Sequence, residues 1–102
     1  MEALATSKEL QIDISKLQKT VLLIRAINNK NRLKVLHLLH ENKRMTVTDL
    51  YKKLRVEQPV TSQHLAVLRK FGFVQTERVG KCVYYSINYD RLKEVFTLAV
   101  QF

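Results

Sequence analysis

Gln58-Pro59-Val60-Thr61-Ser62-Gln63-His64-Leu65-Ala66-Val67-Leu68-Arg69-Lys70-Phe71-Gly72 decides how the rest of the chain is read. The spacing predicts a short helix with both ends specified. Pro59 suits the first helical turn, where no backbone N–H is needed, and Gly72 suits the left-handed position past the end. Leu65 and Leu68, with the Thr61 methyl above and Phe71 below, recur at three- and four-residue spacing and form one apolar face. At ~100° per residue, Gln63 and Lys70 point almost directly away from that face, and Ser62 and His64 flank it. A helix holding Leu inward, with Gln58, Ser62, Gln63 and His64 near its start, is expected to lay its N-terminal half in the major groove of DNA. A solvated amphipathic helix fits the same periodicity, so the neighbouring segments decide.

Just upstream, Thr46-Val47-Thr48-Asp49 reads as a capping box, with Thr46 as the cap and Asp49 reaching back to free N–H groups. A short helix follows with Val47, Leu50 and Leu54 inward and Lys52 and Lys53 outward. Arg55-Val56-Glu57-Gln58 is then a tight connection, and two short helices so joined match the helix-turn-helix pattern. Downstream the period changes from helical to alternating. Phe73-Val74-Gln75-Thr76-Glu77-Arg78 and Cys82-Val83-Tyr84-Tyr85-Ser86-Ile87 flank Val79-Gly80-Lys81 and predict a β-hairpin. Val83, Tyr85 and Ile87 share the face expected to pack on the recognition helix. Arg78 and Lys81 bracket the tip, so the hairpin reads as a basic wing.

The chain's two ends are also helical in pattern. From about Ser7 to Ile27, Leu10, Ile14, Leu17, Val21 and Ile24 form a heptad seam, and Val21, Leu22, Leu23 and Ile27 add a second apolar face. Asn28-Asn29 breaks this helix and offers an N-cap to the next, Lys30 to His40. There Leu33, Leu36 and Leu39 repeat at three, joined by Val35 and Leu38, and the helix is expected to be largely buried. From Asn88 to Phe102, Leu92, Val95, Phe96 and Ala99 line one face and Leu98 and Phe102 another. The terminal helices carry more apolar surface than one contact requires, which points to a homodimer interface that includes Leu10, Ile14, Leu17, Val21, Ile24, Leu98 and Phe102.

Composition agrees with a nucleic-acid partner. The 102 residues are one small domain's worth, and 46% hydrophobic content excludes disorder. Eighteen basic against nine acidic residues give a net charge of +9. The pI is near 9.9, within the range of DNA-binding domains, though an acidic membrane surface or plain solubility has the same charge requirement. No signal peptide or membrane-length apolar run is read, and the one cysteine, Cys82, cannot form an internal disulfide. A cytoplasmic protein is expected. Acidic residues are scattered singly and there is no Gly-rich phosphate loop or Ser/His/Asp arrangement, so an enzyme is not expected, nor a cofactor.

At this point the residues carry a family resemblance. They are Ala26-Ile27-Asn28-Asn29-Lys30-Asn31-Arg32-Leu33-Lys34-Val35-Leu36, Thr48-Asp49-Leu50, Gln58 to Leu65 with Leu68-Arg69 and Gly72-Phe73-Val74, and Arg78-Val79-Gly80-Lys81-Cys82-Val83-Tyr84-Tyr85. Together they resemble the ArsR-type winged-helix repressors of bacteria. The resemblance implies a homodimer that binds an inverted-repeat operator and blocks transcription until an effector, in many members a metal ion, releases it. The family's metal sites do not carry over. One needs a Cys-x-Cys near Met45–Leu50, where no Cys stands; the other needs Asp and His on the last helix, where Asp90 is present but no His follows.

The whole chain, 1–102, is therefore read as a single winged helix-turn-helix domain: mainly α with a small β-hairpin, ordered α-α-α-α-β-β-α. Residues 7–27 and 90–102 are the dimerisation helices, 47–71 the helix-turn-helix and 73–87 the wing. Lys52, Lys53, Arg69, Lys70, Arg78 and Lys81 are expected to neutralise phosphates. Thr46 and Thr48 offer hydroxyl and N–H donors to a phosphate. Gln63 is the best direct base reader, since its amide can pair with adenine N6 and N7. Thr61 and Ser62 are candidates for bases or a thymine methyl, and His64 for a phosphate or base edge. Three rival readings stay beside this one. His37 and His40, three apart, or Cys82 beside Lys81 could make the protein metal- or redox-responsive. A winged helix that binds protein would need an acidic or apolar recognition face. Double-stranded RNA read by shape would need no dimer.

Overall fold

A computed structural model describes the backbone of residues 2–100 and the side chains of residues 14–100. Five helices and one hairpin follow in the expected order: α1 (Glu2–Ile27), α2 (Lys30–Asn42), α3 (Val47–Leu54), α4 (Gln58–Lys70), β1 (Val74–Val79), β2 (Cys82–Ile87) and α5 (Tyr89–Val100). Among the described residues no helix is long and apolar enough to cross a membrane.

Local chemistry sets each boundary. The Asn31 and Arg32 N–H groups donate to Asn29 Oδ1 at 3.0 and 3.2 Å, so Asn29 caps α2 and contributes about 1 kcal/mol to it. Thr46 Oγ1 accepts the Asp49 N–H at 3.2 Å at the start of α3. That is half of the expected capping box, since the Asp49 carboxylate makes no return bond among the described residues. The end of α4 is closed by two bonds: Gly72 N–H donates to Arg69 O at 3.0 Å and Phe73 N–H to Leu68 O at 2.9 Å. This is the Schellman pattern, and it needs the left-handed φ of +81° that Gly72 adopts. It also stacks Phe73 on Leu68, and both are fully buried.

The core forms where α2, α3, α4 and the hairpin meet. Val35, Leu39, Leu50, Leu65, Leu68 and Phe73 are its most enclosed side chains, with Leu23 and Ala26 of α1 and Val95 of α5 joining from the outside. Each fully buried Leu or Phe is worth about 1.5–3 kcal/mol of transfer free energy, so this cluster is what holds α4 in place.

Three expectations are corrected. Leu33 is exposed, although Leu36 and Leu39 are buried. A repeat of three residues turns the face by about 60° per step in a 3.6-residue helix, so Leu33 and Leu39 cannot share one face. The hairpin turn is tighter than read: Val79 pairs with Cys82 and belongs to β1, which leaves a two-residue turn of Gly80 and Lys81 with Gly80 at φ +63°. Nor does β2 pack on α4. It is β1, leaving α4 directly through Gly72, that lies against α4, while β2 folds back onto α2 and α3. There Met45 and Tyr85 exchange both backbone bonds, at 3.0 and 2.7 Å, and tie the wing to the segment before α3.

Candidate nucleic-acid interface

The α4 helix presents Gln58, Ser62 and Gln63 to solvent at its start and Arg69 and Lys70 at its end. Its cap residue, Glu57, makes no side-chain bond, and no acidic residue lies in the first turn. With Pro59 lacking an N–H, the Gln58 and Val60 N–H groups point out of an open helix start that carries partial positive charge. Phosphate is a natural partner for such an end. Arg69 and Lys70 complement the negative C-terminal end of the same helix, and Lys70 also sits over the Phe71 ring.

Two expected site residues are placed differently from the others. Thr61 is wholly buried, at 0% exposure, because it shares the inward face with Leu65 and Leu68 at i, i+4 and i+7. A base-reading role for it is therefore corrected: Thr61 is a core residue. Its Oγ1 is enclosed without a hydrogen-bond partner. His64 is half-buried at the edge of the exposed face. Burial, and secondarily the Arg32 charge, hold its pKa below the ordinary histidine value.

The flanking elements supply the cations. Thr48, Lys52 and Lys53 on α3 are exposed, and Thr46 is half-buried with its oxygen engaged as the cap. Arg78 and Lys81 are exposed at the hairpin tip. At the wing's root Arg44 lies 4.5 Å from the Tyr84 ring centre and 3.9 Å from Glu77, an arrangement with no sequence-level signal because it joins a loop to two strands. Arg32 was likewise not singled out from the sequence as a site residue; its place beside α4 follows from the packing of α2 on that helix.

The candidate sensing residues have local partners. His37 Nε2 pairs with Glu41 one turn later, and His40 Nδ1 lies 2.8 Å from Tyr89 Oη. Among the described residues no three His, Cys, Asp or Glu side chains converge as a metal site would need. Cys82 is exposed at the wing, paired across the hairpin with Val79.

The sequence pattern of the family described as "Bacterial regulatory protein, arsR family" matches residues 29–76, from the α2 cap into β1. An HTH-type transcriptional regulator of Methanocaldococcus jannaschii is 35% identical over 83% of this chain and 96% of that protein. The chain belongs to the ArsR family of bacterial regulatory proteins. The transcriptional activator HlyU of Vibrio cholerae is 35% identical over 78% of this chain and 73% of its own. The crystal structure of HlyU from Vibrio vulnificus superposes with a TM-score of 0.70 at 33% identity, over 92% of this chain and 98% of that one. That of the transcriptional repressor PagR of Bacillus anthracis gives 0.66 at 25% identity, over 87% and 98%. This ArsR-family chain is a winged-helix, DNA-binding transcriptional regulator and not an enzyme.

Proposed function

We propose that this ArsR-family regulator acts as a homodimer that represses transcription by occupying a pseudo-palindromic operator in the cytoplasm. The observation that carries the reading is the separation of two surfaces on one small fold. The start of α4, α3 and the wing are polar and basic, whereas among the described residues α1 and α5 leave a large apolar face uncovered. Ile14, Leu17, Val21 and Ile24 of α1 are exposed along the seam, and on α5 Phe96 and Val100 are 70% and 66% exposed. Between α1, Leu33 and α5 runs an apolar groove of about 660 Å³. Contiguous apolar surface on this scale marks an association site in a soluble protein. The expected interface shifts in detail. Leu98 is half-buried in its own fold and stays in the proposed set, which Phe96, Val100 and Leu33 join as exposed apolar neighbours. The Leu10 side chain and Phe102 lie outside the described residues.

In this reading the chain works as one winged helix-turn-helix unit, and a two-fold axis sets the α4 helices about one DNA turn (~34 Å), or a multiple, apart. Gln63 pairs with adenine in the major groove, and Gln58, Ser62 and His64 contact neighbouring base edges or the backbone. Thr46, Thr48, Lys52, Lys53, Arg69, Lys70, Arg78 and Lys81 bind phosphates and fix the register. Repression as the sense of regulation is supported by the likeness to PagR, a repressor. Sedimentation of the wild type and Phe96→Glu tests the dimer. The wild type is expected at twice the chain mass and the variant at once, with the variant binding half-sites and full inverted repeats equally. A monomeric wild type with no preference for inverted repeats would refute the proposal.

A further inference from the structure

Arg32 differs from Arg91, the other half-buried arginine among the described residues. Arg91 is engaged at two of its nitrogens: its Nε donates to Phe71 O at 3.0 Å, and its Nη1 lies 3.3 Å from Glu94. Arg44 has Glu77 and the Tyr84 ring. The Arg32 Nε is shut off from solvent yet meets no acceptor, and its guanidinium makes no ion pair among the described residues. Enclosing a donor without an acceptor costs free energy, and a bound ligand is one of the ways such a cost is offset. The surroundings raise that cost. Arg32 stands in the first turn of α2 with Lys30 beside it and no acidic residue there, so the positive end of the helix works against its charge.

The position of this unpaired guanidinium identifies the ligand class. α2 packs on α4, and the Arg32 charge is felt by His64 on the edge of the recognition surface. We infer that Arg32 donates to a DNA phosphate beside the groove that α4 occupies, so that α2 and the recognition helix grip the same backbone from one seam. A fork of N–H donors suits a phosphate's paired oxygens better than an ammonium does. The inference rests on the DNA-binding reading of α4 and extends the contact surface to a helix outside the helix-turn-helix pair. It also gives His64 a fixed neighbour: once Arg32 is held by a phosphate, its charge is neutralised where it most disfavours a second cation.

The test is a binding titration of the full chain on an inverted-repeat duplex selected from a random pool, repeated at several salt concentrations. Arg32→Met keeps the apolar stem and removes the donors. It is expected to bind about tenfold more weakly or worse, with the log–log salt slope reduced by about 0.9, the share of one phosphate. Lys34→Met removes the same charge from about 160° round α2 and is the control, expected to change the slope far less. Arg32→Lys is expected to restore the slope and only part of the affinity. The Arg32 Nε–H resonance of the wild type gives a reading free of any folding defect, and it is expected to shift and gain protection from exchange when duplex is added. An Arg32→Met slope no different from that of Lys34→Met, or a resonance indifferent to DNA, would overturn the inference. A wild type that binds no duplex at any salt would instead remove the DNA reading on which it rests.

Discussion

Replacing Thr61 by Val should make this protein more stable and leave its DNA reading intact. Thr61 sits at 0% exposure under Leu65 and Leu68, and its hydroxyl has no partner. The other buried threonine, Thr20, has an equal degree of enclosure but donates back to Lys16 O at 2.8 Å. Valine has nearly the volume of threonine and nearly its helix propensity, so packing and backbone terms almost cancel. What remains is the desolvation of an unbonded hydroxyl, about 1–3 kcal/mol. Taking the low end, Thr61→Val should gain about 1 kcal/mol, or roughly 4–8 °C in Tm for a domain of this size. The assay is thermal and urea unfolding at one fixed protein concentration, because an associating protein's Tm depends on concentration. The same change at Thr20 breaks a made bond and should be destabilising by about 1 kcal/mol. A Thr61→Val protein less stable than wild type would refute the buried-hydroxyl reasoning. A tenfold loss of affinity at unchanged stability would return Thr61 to the DNA surface.

Lys43 at the end of α2 has φ +68° and ψ −51°, with Arg44 N–H bonded to Asn42 O at 2.8 Å, a γ-turn that strains any residue with a Cβ. Lys43→Gly should therefore raise stability by about 1 kcal/mol, measured by urea unfolding. His64 adds a pH dependence. Its folded pKa lies below the unfolded value, so its contribution is complete above the unfolded pKa and is lost as pH falls through the folded one. The stability of the wild type minus that of His64→Gln should thus decline on acidification below about pH 6.5; a difference independent of pH between 8 and about 5 would contradict the cause assigned to the shift.

The parts of this fold that were legible in the sequence depend on few residues close together. Pro59 and Gly72 bracket α4 through backbone requirements of their own, and Asn29 and Thr46 cap helices within three residues. The apolar periodicity of α4 then fixed which residues face inward. What escaped was set by longer range or by conflict within one residue. Thr61 carries a methyl and a hydroxyl, and only the depth of the core beneath α4 decided that both are buried. Leu33 escapes because a three-residue repeat does not keep to one face of a 3.6-residue helix. The packing of β2 on α2 and α3 rests on the Met45–Tyr85 backbone pair, forty residues apart. Arg32 gained its meaning only from the contact of α2 with α4.

One titration tests the central claim that the face of α4 and the wing share the work of binding DNA. Wild type, Gln63→Ala and Lys81→Ala are titrated with specific and random duplexes over a range of salt. Gln63→Ala should lose about 1–3 kcal/mol of discrimination at one base position and keep its salt slope. Lys81→Ala should bind every duplex more weakly, with the slope reduced by about 0.9, and keep its sequence preference. Equal loss of preference in both variants, or no change in either, would contradict the division between reading and anchoring.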